Sequence, residues 1–125
     1  MAAAPLAPDL RRFVAAKIHS VPMLEALLLL HGRDGDWTRS ELAGRLYLPD
    51  ARIDTLVRDL CREQLARVEG DTVRYAPADP AIAALVDQLA ATYSRHVVAV
   101  TEIIHSGLER KARDFADAFV LRRDE

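Results

Sequence analysis

Seven arginines stand four to seven residues apart between Thr38 and Tyr75: Arg39, Arg45, Arg52, Arg58, Arg62, Arg67 and Arg74. A guanidinium is always charged and donates in a rigid fork that fits phosphate and carboxylate oxygens. A set of this kind can neutralise a polyanion. The same stretch also carries seven acids, Glu41, Asp50, Asp54, Asp59, Glu63, Glu69 and Asp71, so its net charge is zero. Asp54 and Arg58 are four apart, and Asp59 and Arg62 three apart, so on a helix each acid can neutralise its neighbour. Two uses follow: arginines turned to phosphates with the acids facing elsewhere, or a solvated face of self-paired charge that suits protein contacts.

Other chemistry is sparse. His96 and His105 are nine residues apart, on nearly opposite faces of one helix, and His19 and His31 fall at helix ends. Neither CxxC nor HxxxH spacing occurs, so no metal or other cofactor is expected. Cys61, the single cysteine, rules out an internal disulfide and reads as an inert core thiol. There is no GxSxG, Walker loop or GxGxxG, and the reading is not an enzyme. A chain of 125 residues, half of them apolar with net charge −2, suits one domain with a real core and points to no particular polyanion. The start lacks the cationic-then-apolar order of a signal peptide. The most apolar run, Met23 to Leu30, is far short of the roughly 20 residues of a membrane span. A cytoplasmic protein with no membrane contact is expected.

The elements that position the arginines can be read in order. Residues 1–8 form a loose arm. Asp9 caps a first helix carrying Leu10, Phe13, Val14 and Ile18. Ser20 caps a second, about Met23 to His31, which is apolar on nearly every side and so belongs at the centre of a core. Trp37 makes a short strand or core anchor. Thr38 and Glu41 have the spacing of a capping box, which opens a helix with Leu42, Ala43 and Leu46 inward. Leu48-Pro49 turns the chain, and Asp50 caps a helix from Ala51 to Gln64 that buries Ile53, Leu56, Val57, Leu60 and Cys61. Two strands, Leu65–Glu69 and Thr72–Ala76, flank Gly70-Asp71. Asp79 caps a long helix from Pro80 to His105 with the stripe Ile82, Val86, Leu89, Tyr93, Val97, Val100 and Ile104. A second capping box, Ser106 and Glu109, starts a separate final helix bearing Leu108, Ala112, Phe115 and Phe119. Residues 122–125 are a charged tail.

This order of helix, turn, helix and hairpin predicts a mainly α fold with a small β-hairpin wing: a winged helix-turn-helix over 9–76 and a helical extension over 77–121. The segment Glu41-Leu42-Ala43 through Leu46, then Ile53, Leu56-Val57, Leu60, Leu65 and Tyr75, resembles bacterial winged-helix transcriptional regulators, the MarR-like group among them. The resemblance covers about residues 38–75 and lies in a pattern of apolar positions. It implies double-stranded DNA as partner, with the helix from Ala51 in the major groove and the wing on the backbone or minor groove. Carried across, Ala51, Arg52, Thr55, Asp59 and Arg62 face bases, Arg39 and Arg45 meet phosphates, and Arg67 and Arg74 serve on the wing. Where many relatives place a glycine before the leucine that opens the wing, Gln64 stands here.

The apolar C-terminal stripe exceeds what so small a domain covers. A homodimer through Phe13, Ile18, Tyr93, Val97, Val100, Ile104, Phe115 and Phe119 is expected, the alternative being a final helix folded back within one chain. The reading is a small dimeric DNA-binding transcriptional regulator. Its rival is a winged-helix adaptor that binds another protein through the charged helix and wing.

Overall fold

A helix apolar on nearly every side must be covered on most of them, and the segment Val21–Gly32 shows the consequence. The computed structural model describes residues 6–123, except for the side chains of residues 109, 111 and 117–123. In it Met23, Leu24, Leu27 and Leu30 are fully buried. Burying a side chain of this size stabilises by roughly 1.5–3 kcal/mol, so this helix anchors the fold. The elements in order are α1 (Pro8–Lys17), α2 itself (Val21–Gly32), β1 (Trp37–Thr38), α3 (Arg39–Leu46), α4 (Asp50–Arg62), β2 (Ala66–Glu69), β3 (Thr72–Tyr75), α5 (Pro80–Thr92) and α6 (Val97–Arg123), with a 3₁₀ turn over Tyr93–Arg95, and α3, α4, α5 and β3 pack on α2. The architecture is mainly helical with one small antiparallel sheet in the order β1-β3-β2.

Local chemistry sets several of these ends. Ser20 accepts from the Met23 N–H and caps α2. Thr38 and Glu41 form the complete reciprocal box at the start of α3, and Asp79 accepts from the Ile82 N–H at the start of α5. In the sheet, Trp37 opposes Val73 and Val68 opposes Val73 from the other side, which puts Trp37 and Val73 into the core. Gly70 takes a positive φ of 59° in the hairpin turn, a conformation that glycine adopts without penalty.

Two expected caps are absent. Asp9 does not cap α1: Ala7 holds that position without a side-chain bond, and Asp9 pairs instead with Arg12. Pro8 opens the helix with φ already set and no N–H to satisfy, so little is left for a cap to do. Asp50 likewise lies inside the first turn of α4, behind Pro49, whose carbonyl receives the Arg52 and Ile53 N–H groups. There it contributes charge at the positive end of the helix dipole. The expected loose arm is also partly packed, since Leu6 is buried in the core; residues 1–5 lie outside the described residues.

The largest correction concerns the C-terminal half. The helix expected from Pro80 to His105 breaks after Thr92, and His96, at φ −129° and ψ 31°, leaves the helical region. The break turns the chain so that α6 packs back on α1, burying Val100 and Ile104. The helix expected to begin at Ser106 does not exist as a separate element; α6 runs through that position to Arg123. Phe13, Ile18, Val100 and Ile104, expected at a dimer seam, are therefore buried within one chain. Tyr93 is half-buried, and Val97 and Phe115 are exposed. Phe119 falls among the side chains outside the description. Among the described residues no single helix is long and apolar enough to cross a membrane.

Candidate nucleic-acid interface

The helix α4 has one buried and one open side, and its sequence dictates both. Ile53, Leu56, Val57 and Leu60 are buried. At roughly 3.6 residues per turn, the opposite stripe is Ala51, Thr55, Arg58 and Arg62, all exposed. That outermost stripe holds two arginines and no acid. The acids of α4 stand on its flanks.

A long-range ion pair engages one of these flanking acids. Arg39, from the start of α3, donates through Nε to Asp54 Oδ1 at 3.1 Å and through Nη1 to the Gly70 carbonyl at 3.3 Å. One side chain thus fastens a flank of α4 to the hairpin turn, and the Arg39 N–H adds a bond to the Asp71 carbonyl at 3.4 Å. The expected Asp54–Arg58 pair is not made, because Asp54 is held by Arg39. Arg58 has no carboxylate partner among the described residues, while Asp59 and Arg62 approach to 3.8 Å. At that separation on an exposed surface the pair is worth roughly 0–1 kcal/mol, so Arg62 can exchange it for another anion at little cost.

The remaining arginines divide by task. Arg74 Nε meets Asp36 Oδ1 at 3.0 Å. Arg67 lies directly opposite Arg74 in the hairpin and is exposed, with no ion pair among the described residues. Two like charges across a strand pair repel, and Asp36 offsets that repulsion on one side only. Arg45 lies 5.6 Å from the centroid of the Trp37 ring, and Arg33 covers that ring at 3.5 Å while also donating to Glu41 at 2.9 Å. Arg52 is exposed beside the Asp59 flank. Thr55 donates its hydroxyl to the Ala51 carbonyl, which leaves its oxygen able to accept.

Of the nine expected contact residues, Arg39 and Arg74 are ion-paired within the chain, Arg45 lies near Trp37, Asp59 stands half-buried on a flank of α4, and Ala51 is on its open stripe. Arg52, Thr55 and Arg62 share the open side of α4, and Arg67 stands on the hairpin. Residue spacing alone gave no place to two other exposed residues. Arg58 was assigned to Asp54 by the four-residue rule, although its helical position opposite the buried face was legible. Tyr47, at the turn before α4, carried no periodic signal; it is 91% exposed with φ 56°.

Several titratable groups elsewhere are occupied structurally. His19 and Lys17 both meet Glu63 at the C-terminal end of α4, and His31 meets Asp87 at 2.7 Å while stacking edge-on against Tyr75. Burial raises the Cys61 thiol above its ordinary range, with Arg39 opposing more weakly. A thiol held protonated is a poor nucleophile. Among the described residues no three His, Cys, Asp or Glu side chains are grouped to hold a metal ion.

No family model matches this chain, and neither does any curated protein. The case for a function therefore rests on the α4 face and the hairpin.

Proposed function

We propose that residues 21–75 form a winged helix-turn-helix and that the protein is a DNA-binding transcriptional regulator. The element order α2-β1-α3-α4-β2-β3 is that of a winged helix, with β2–β3 as the wing and α4 as the helix offered to the major groove. One observation carries the reading: the outermost stripe of α4, Ala51, Thr55, Arg58 and Arg62, holds no acid, and Asp54 on its flank is engaged by Arg39. Arg58 and Arg62 are the base-facing pair, with Thr55 and Arg52 beside them and Arg67 toward the backbone.

A second reading, a winged-helix adaptor for another protein, is favoured by a different observation. The pairs Arg39–Asp54, Arg62–Asp59 and Arg74–Asp36 leave the flanks near neutral, and a neutral surface draws little affinity from counterion release.

Binding to a labelled duplex from the gene's own upstream region, at low and physiological salt with an unrelated duplex as control, separates the two. Arg58→Ala and Arg62→Ala are expected to weaken specific binding roughly tenfold each, in line with about 1–3 kcal/mol for a bidentate base contact. Arg74→Ala should change little. A folded protein that binds no duplex even at low salt overturns the DNA reading and turns the search to protein partners.

The regulator acts as a pair of copies, because paired half-sites need a paired protein. With Val100 and Ile104 inside the chain, the seam lies on the exposed apolar part of α6, where Val97, Val98 and Leu108 are 43%, 70% and 44% exposed. Leu108→Asp should convert a dimer to a monomer in analytical ultracentrifugation without loss of helical signal. A wild-type chain that sediments as a monomer at high concentration ends the dimer proposal.

A further inference from the structure

Tyr47 is the most exposed of the large hydrophobic residues among those described, at 91% of its full accessible surface, and it sits in a conformation that its side chain disfavours. It is the C-terminal cap of α3, at φ 56° and ψ 43°. Its N–H and that of Leu48 both return to the Ala43 carbonyl, the latter at 3.2 Å. That closure needs a left-handed residue at position 47, and glycine is the one residue that supplies it without strain. A bulky aromatic there is a genuine outlier. The fold gains nothing in return, because the ring is almost wholly in water.

Gln64 supplies a comparison inside the same molecule. It ends α4 at φ 62°, also left-handed. Its side chain is short of apolar surface and polar at the tip, which is ordinary at a helix end in solvent. Tyr47 pairs the same backbone strain with an exposed aromatic ring, and backbone strain with no structural return points to a task outside the fold.

The position of Tyr47 indicates the task. It belongs to the turn between α3 and α4, three residues before Asp50 opens α4. In the winged-helix reading, the turn before α4 lies beside the duplex that α4 enters. A tyrosine hydroxyl is among the groups that donate to phosphate oxygens and thereby set the register of a protein on DNA. We infer that Tyr47 is a further DNA-contacting residue, its hydroxyl donating to a backbone phosphate next to the entry point of α4. The inference rests on the DNA reading proposed above and adds to it a positioning contact that carries no sequence information.

The test uses opposite movements of stability and binding. Tyr47→Gly removes the strain and should raise the melting temperature by about 3–6 °C, the shift that relief of left-handed strain at one residue brings in a domain of this size. The same variant should lose roughly tenfold in affinity for the upstream duplex and, in similar proportion, for an unrelated one, since a phosphate contact is not sequence-specific. Tyr47→Phe should lose most of that affinity without the gain in stability. Gln64→Gly is the control: it should gain stability and keep wild-type affinity. If wild type binds the duplex and Tyr47→Gly binds as well as wild type, Tyr47 makes no such contact. Tyr47→Phe binding as wild type overturns the role of the hydroxyl. If wild type itself does not bind, the winged-helix DNA reading fails first, an outcome distinguishable from failure at Tyr47 alone.

Discussion

Thr38-Arg39-Ser40-Glu41 and Ser106-Gly107-Leu108-Glu109 carry the same helix-start pattern, a hydroxyl residue followed three positions later by glutamate. The first opens α3, and the second is passed over by α6. The difference lies in what precedes them. Trp37 and Thr38 are paired with Val73 and Thr72 in the sheet, which holds Thr38 extended at φ −80° and ψ 157°, the backbone a cap requires. Ahead of Ser106 the chain is already helical and pinned to α1 by Val100 and Ile104. Making Ser106 a cap would break that helix two residues beyond a buried isoleucine. A cap is worth about 1 kcal/mol, and it cannot outweigh the burial of two apolar side chains. The lesson is that a capping box starts a helix only where the preceding residue is free to be extended.

The largest expected effect lies along α6 itself. Ile104→Ala should cost about 2–5 kcal/mol in a denaturant titration, the range for deleting a buried isoleucine side chain. Leu108→Ala, one turn later and 44% exposed, should stay within roughly 0.5 kcal/mol for the monomer. Equal costs at the two positions would mean that α6 is covered beyond Ser106, and the comparison would lose its basis.

A smaller effect compares the two boxes directly. Thr38→Ala should destabilise by about 1 kcal/mol, whereas Ser106→Ala should be neutral or stabilising by up to roughly 0.5 kcal/mol, as alanine is the better helix former. Protonation probes the same box. Glu41 accepts from the Thr38 N–H and, next in weight, from Arg33, and these bonds hold its carboxyl below the ordinary value of 4.5. The sign follows from linkage: a depressed folded pKa adds stability above the ordinary value that is lost as pH falls through the lowered one. Thermal melts of wild type and Glu41→Gln should therefore differ at neutral pH and converge in acid. Curves that stay parallel would show that the carboxylate does not serve the box.

Much of the fold was legible from neighbours in sequence. The caps at Ser20, Thr38 and Asp79, the hairpin around Gly70 and the buried face of α4 all depend on residues within a turn or two of each other. The candidate interface was legible only in part. Arg52, Thr55, Arg62 and Arg67 could be placed, but the pairing of Asp54 could not. The four-residue rule gives Asp54 to Arg58; the fold gives it to Arg39, fifteen residues away along the chain, and so leaves Arg58 open.

The amino-acid sequence by itself determined the start of α3, the apolar character of α2 on nearly every side and the alternation of the hairpin, because these follow from side-chain shape and spacing over a few residues. Tertiary structure alone decided the break after Thr92, the return of α6 over α1 and the partner of Asp54. Each of those is a competition between a local contact and one far along the chain, and the winner depends on which surfaces the core brings within reach.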